Sequence, residues 1–80
     1  MKLEYKPQVV KQLKKFPKME VKKIVRKLEL LLTEPLIGKQ LKGELEGLRS
    51  LRAWPYRIIY EVKSNSVVIY SIAHRQGVYK

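Results

Sequence analysis

Eighty residues with 45% hydrophobic side chains make one small domain over 1–80, too apolar for global disorder and too short for a second core. The absence of cysteine and a single histidine, His74, rule out disulfides and thiolate metal sites and leave zinc without enough ligands, so no metal and no cofactor are expected. Eighteen Lys+Arg against seven Asp+Glu give a net charge of +11, which suits a polyanion such as RNA, DNA, the ribosome or an acidic protein. The plainer reading is a basic protein whose lysines only solvate its helices.

In chain order, Leu3 and Tyr5 alternate within residues 2–6 and predict a short first strand. The opening MKLEYKPQ lacks the apolar run of a signal peptide, and no segment approaches the length of a membrane span. The expected compartment is the cytoplasm, with no membrane partner. Pro7 suits the first turn of a helix, where its missing N–H costs nothing. Val9, Val10, Leu13 and Phe16 then recur at helical spacing until Pro17. A second helix runs from Lys18 to Leu32 on the stripe Val21, Ile24, Val25, Leu28, Leu31 and Leu32. Thr33-Glu34-Pro35 stops it.

Residues 34–47 show no periodicity, are punctuated by Gly38, Gly43 and Gly47, and read as a loop. Arg49 to Val62 reads as two strands around a turn at Trp54-Pro55. Tyr56, Ile58, Tyr60 and Val62 fall on one face of the second strand, with Arg57, Ile59 and Glu61 on the other. Lys63 to Ser66 is a turn, Val67 to Ala73 is the best strand, and His74 to Lys80 is a tail. Tyr60 and Tyr70 are expected in the core, and Trp54, which could stack on a base or meet a partner, is expected to pack over a neighbouring strand. The order β-α-α-β-β-β predicts an α+β fold, an antiparallel sheet with a helical pair packed on one face.

On the other face, the turn brings Arg52 and Arg57 side by side, and strand parity adds Arg75 with Tyr79 just beyond. Guanidiniums so placed repel one another without an anion, and phosphate is a natural guest. The competing reading is arginines scattered over a half-exposed sheet.

The early strand, the two basic helices and a series of short motifs resemble the RelE/ParE superfamily of toxin–antitoxin toxins, its RelE-like branch in particular. The motifs are Leu41-Lys42-Gly43, Leu45-Glu46-Gly47-Leu48, Leu51-Arg52, Tyr56-Arg57-Ile58-Ile59-Tyr60, His74-Arg75 and Val78-Tyr79. The resemblance implies a ribosome-dependent mRNA endoribonuclease that cuts mRNA in the ribosomal A site, starting with attack of a 2′-OH on the adjacent phosphate. It also implies a cognate antitoxin. Arg57 and Arg75 match the family's phosphate-facing arginines, and Tyr79 matches a tyrosine that stacks on or orients the substrate. Arg52 matches a basic position expected to hold RNA, together with Arg49 and Lys42. The family's bases are absent: Leu48 and Ser50 stand where one branch has lysines, and Lys39 and Gln40 where another has a glutamate. His74 is the substitute, since imidazole is ordinarily the side chain that changes charge near neutrality, set against packing or capping at the strand end, and parity puts it on the face opposite Arg75. Two alternatives share the fold: a ParE-like inhibitor of DNA gyrase without nuclease activity, and an inactive member that only binds antitoxin.

Overall fold

The structure, a computed structural model, describes residues 1–74. Strand β1 (Lys2–Tyr5) leads into helices α1 (Pro7–Lys15) and α2 (Lys18–Thr33). A two-residue strand β2 (Lys39–Gln40) and a 3-10 turn (Gly43–Leu45) follow, then strands β3 (Arg49–Ala53), β4 (Tyr56–Val62) and β5 (Ser66–His74). The helices form where proline punctuation places them. Pro7 opens α1, and Pro17 separates it from α2. Glu34 closes α2, its N–H donating to the Leu30 carbonyl.

The fold is α+β, as expected, with both helices on one face of a five-stranded sheet of order β1-β5-β4-β3-β2. Two features depart from the expectation. The loop read over 34–47 contains β2, which pairs antiparallel with β3 through Lys39↔Ser50 and Gln40↔Arg49. A strand of two residues is too short to show a period. The sheet is also not wholly antiparallel, because β1 pairs parallel with β5, Leu3 beside Val67. Three successive antiparallel pairings turn the chain from β2 to β5. The helical pair reverses it once more between β1 and β2, so the first and last described strands run the same way.

The core lies between the helices and one sheet face. Val9 of α1 and Ile24, Leu28 and Leu31 of α2 pack with Ile58, Tyr60, Val67, Ile69 and Ile72. Tyr60 is buried as expected. Its hydroxyl donates to the Pro35 carbonyl and accepts from the Gly38 N–H, both at 2.8 Å. That pair ties the exit of α2 to the centre of the sheet. Gly38 is required there, since a Cβ would stand 2.8 Å from the Tyr60 ring and 2.9 Å from the Ser50 carbonyl oxygen.

Tyr70 overturns the reading that placed it in the core. Pairing steps from Ile59↔Ser71 to Tyr60↔Ile69, so Tyr70 is the extra residue of a β-bulge. The bulge turns its ring to the face opposite the helices, where its hydroxyl donates to Glu61 Oε1 at 2.8 Å. The Lys6 ammonium sits 5.1 Å from the ring centroid. Because β1 ends at Tyr5, β5 has no strand on its β1 edge past Ile69. Helix α1 fills the gap. Gln8 Nε2 donates to the Tyr70 carbonyl, and the Ile72 N–H donates to Gln12 Oε1 at 2.9 Å.

Candidate functional site

Antiparallel register decides which side chains share a face. Arg49, Leu51 and Ala53 of β3 stand opposite Tyr60, Ile58 and Tyr56, on the helix side. Ser50 and Arg52 therefore belong to the outer face, with Arg57, Ile59 and Glu61 of β4. Arg52 and Arg57 are direct cross-strand partners one rung from the hairpin turn. Arg52 is exposed and Arg57 half-buried. On its other side Arg57 is paired with Ala73 of β5, a small residue of the same face. Lys39 adds a further cation to this face, opposite Ser50. Like charges set directly opposite one another destabilise a strand pair, and an anion held between them relieves that cost.

The carboxylates of this face lie apart from the arginines, in a half that also carries Lys2 and, over the Tyr70 ring, Lys6. The hairpin half carries Lys39, Arg52 and Arg57. The other half carries Glu61 opposite Val68, which in turn lies beside Glu4. Glu61 accepts a hydrogen bond from the Tyr70 hydroxyl. That bond, above all, raises the Tyr70 phenol above its ordinary pKa, with desolvation and the Glu61 charge adding to it.

The remaining candidates lie elsewhere. His74 stands opposite Tyr56 on the helix side, its ring edge-on to the tyrosine with centroids 5.8 Å apart. Tyr56 in turn stacks against Phe16 at 4.7 Å. The structure thus brings His74 to an aromatic row and not to Arg57. Arg49 is also on the helix side, its Nη1 donating to the carbonyls of Gly38 at 2.8 Å and Leu36 at 3.3 Å. Lys42 precedes the 3-10 turn and lines, with Arg49, Leu36, Glu46 and Val62, a cleft of about 700 Å³. Gly43 and Gly47 bracket that turn with φ of 71° and 94°, values that L side chains rarely adopt. The expected RNA-holding set is therefore split, with Arg52 on the outer face and Arg49 and Lys42 at the cleft. Arg75 and Tyr79 lie outside the described residues.

One cation of this face was not singled out from sequence. Lys39 was read as one basic residue of a loop, and only the pairing of β2 sets it beside the arginines. Trp54, expected to pack, is 56% exposed at the hairpin tip. Among the described residues, no group of three His, Cys, Asp or Glu is placed to hold a metal ion. The outer face is thus equipped to bind and neutralise an anion. Its described carboxylates stand at the end away from the arginines.

Residues 3–79 match the family model for the ParE toxin of the type II toxin–antitoxin system parDE. Among solved structures, the chain is similar to the RelBE2 toxin–antitoxin complex of Mycobacterium tuberculosis at 31% identity and a TM-score of 0.84, covering 92% of this chain and 96% of that one. It is also similar to the YoeB-YefM complex of Staphylococcus aureus at 27% identity and 0.81, covering 90% and 93%. The archaeal RelE-RelB complex of Pyrococcus horikoshii OT3 matches at 26% identity and 0.76, covering 96% and 97%. No curated protein matches the sequence.

Proposed function

The chain belongs to the ParE toxin family of type II toxin–antitoxin systems, within the RelE/ParE superfamily, and from that premise we propose that it is a ribosome-dependent mRNA endoribonuclease restrained by a cognate antitoxin. The observation that carries this reading is the Arg52–Arg57 cross-strand pair on the face away from the helices. Attack of a ribose 2′-oxygen on the adjacent phosphorus forms one P–O bond and breaks the bond to the 5′-oxygen. The 2′-OH gives up a proton and the leaving 5′-oxygen takes one. Negative charge builds on the non-bridging oxygens meanwhile, and preorganised guanidiniums stabilise it. In this reading Arg57 holds the scissile phosphate and Arg52 a neighbouring one. Arginine stays protonated at any working pH, so neither serves as base. Arg75 is proposed as a second phosphate ligand and Tyr79 as the residue that orients the substrate. His74, turned towards Tyr56, is not assigned the base.

A second reading is a ParE-like gyrase inhibitor. It is favoured by the family model that matches and by Glu61, the carboxylate that shares β4's outer face with Arg57, being engaged by Tyr70. Primer extension on mRNA in a purified translation system, with and without ribosomes, tests the first reading. Cuts are expected only with ribosomes, and Arg57→Ala is expected to abolish them while its thermal melt matches wild type, because Arg57 is outside the core. Loss of supercoiling by purified gyrase, with no cuts under either condition, favours the second reading. No growth arrest on expression without antitoxin points to a member that only binds its antitoxin.

A further inference from the structure

We propose that Trp54 is a stacking platform for a nucleobase, set so that single-stranded RNA with a phosphate on Arg52 and Arg57 lays an adjoining base on the indole. Trp54 is the most exposed aromatic side chain among the described residues. It stands at the tip of the hairpin, between Ala53 and Tyr56, whose side chains join the core on the helix side. The Arg52–Arg57 rung comes immediately before the Ala53–Tyr56 rung. Two strand residues span about 7 Å, so the backbone positions of Trp54 and Arg52 stand within one nucleotide's reach of each other. A nucleotide offers both a phosphate for arginine and a flat π face for an aromatic ring. Grooves that bind single strands combine these two elements, and stacking there tolerates any base. An acidic protein segment would answer the arginines but offers no matching ring face as a matter of course. The inference rests on the RNA-binding part of the proposed function and adds the residue that seats the base.

Trp54 is the chain's single tryptophan, so its emission reports on this position alone. The test is a titration with a labelled 2′-O-methyl RNA hexanucleotide, which has no 2′-OH to attack, reading label anisotropy and tryptophan emission together. Quenching in step with binding is expected, and an abasic strand of equal length is expected to bind without quenching. Trp54→Ala should weaken binding of the base-bearing strand by roughly ten-fold, and Trp54→Phe should recover most of the loss. Both variants are checked by circular dichroism, since a merely structural defect would not be repaired by phenylalanine and would not separate base-bearing from abasic strands. Absence of binding, unchanged emission at saturation, or quenching by an acidic peptide and not by RNA would each overturn the proposal. Quenching without any cutting in the translation assay leaves the platform standing and removes the nuclease. Cutting with unchanged emission removes the platform alone.

Discussion

Tyr60 does more than fill volume. Its hydroxyl joins the Pro35 carbonyl and the Gly38 N–H, so one side chain closes the corner between α2 and β2. Tyr60→Phe leaves that donor and acceptor without their partner in a buried site and is expected to cost about 1–3 kcal/mol in a urea melt at neutral pH. Burial raises the Tyr60 phenol above its usual pKa, while the Gly38 N–H and the Arg49 charge pull it partly back. The folded state therefore favours the protonated phenol. Its contribution is complete below the ordinary tyrosine pKa of about 10 and is lost as pH rises through the higher folded value. Melting temperature measured from neutral to strongly alkaline pH should fall more steeply for wild type than for Tyr60→Phe. A parallel decline in both would refute the assignment. The polar half of this role was not legible in the sequence. Period two placed Tyr60 in the core, but its two partners lie in a loop whose path follows no repeat.

At the level of elements, α1 completes the sheet. Gln8 and Gln12, one helical turn apart, meet a carbonyl and an N–H of β5 beyond the end of β1. They stand in for a missing strand, because a buried backbone group without a partner is costly. Gln12→Leu keeps the helix but leaves the Ile72 N–H unsatisfied. The expected loss is about 1–3 kcal/mol, with amide exchange at Ile72 accelerated more than at Ile58; equal exchange at both would count against the role. The helices themselves were legible, since proline punctuation and a 3.6-residue stripe are local signals. The bulge at Tyr70 was not, because nothing in VVIYSIA marks which residue is extra, and past it strand parity shifts by one. The Arg52–Arg57 pair was legible because a two-residue turn fixes the register of its hairpin. Lys39 was not, because its place depends on a strand of two residues.

For the whole molecule, the excess of +11 is spread over helices and sheet, yet the described outer face concentrates Lys39, Arg52 and Arg57 at one end. If three phosphates are met there, the logarithm of the RNA association constant should fall with the logarithm of salt at a slope near −2, about −0.7 for each contact to a single strand. Arg52→Gln should flatten the slope by about 0.7, whereas a substitution of an exposed lysine on α2 should leave it unchanged. A slope indifferent to Arg52 would make the binding diffuse. The parallel pairing of β1 with β5 bears on how the molecule comes to exist at all. Lys2 waits for Ser66, and Gln8 waits for Tyr70. A ribosome adds about 5–20 residues per second, so the amino-terminal strand and helix remain without these partners for several seconds of synthesis. The β1 edge and the glutamine bonds of α1 therefore close together, once β5 has been made.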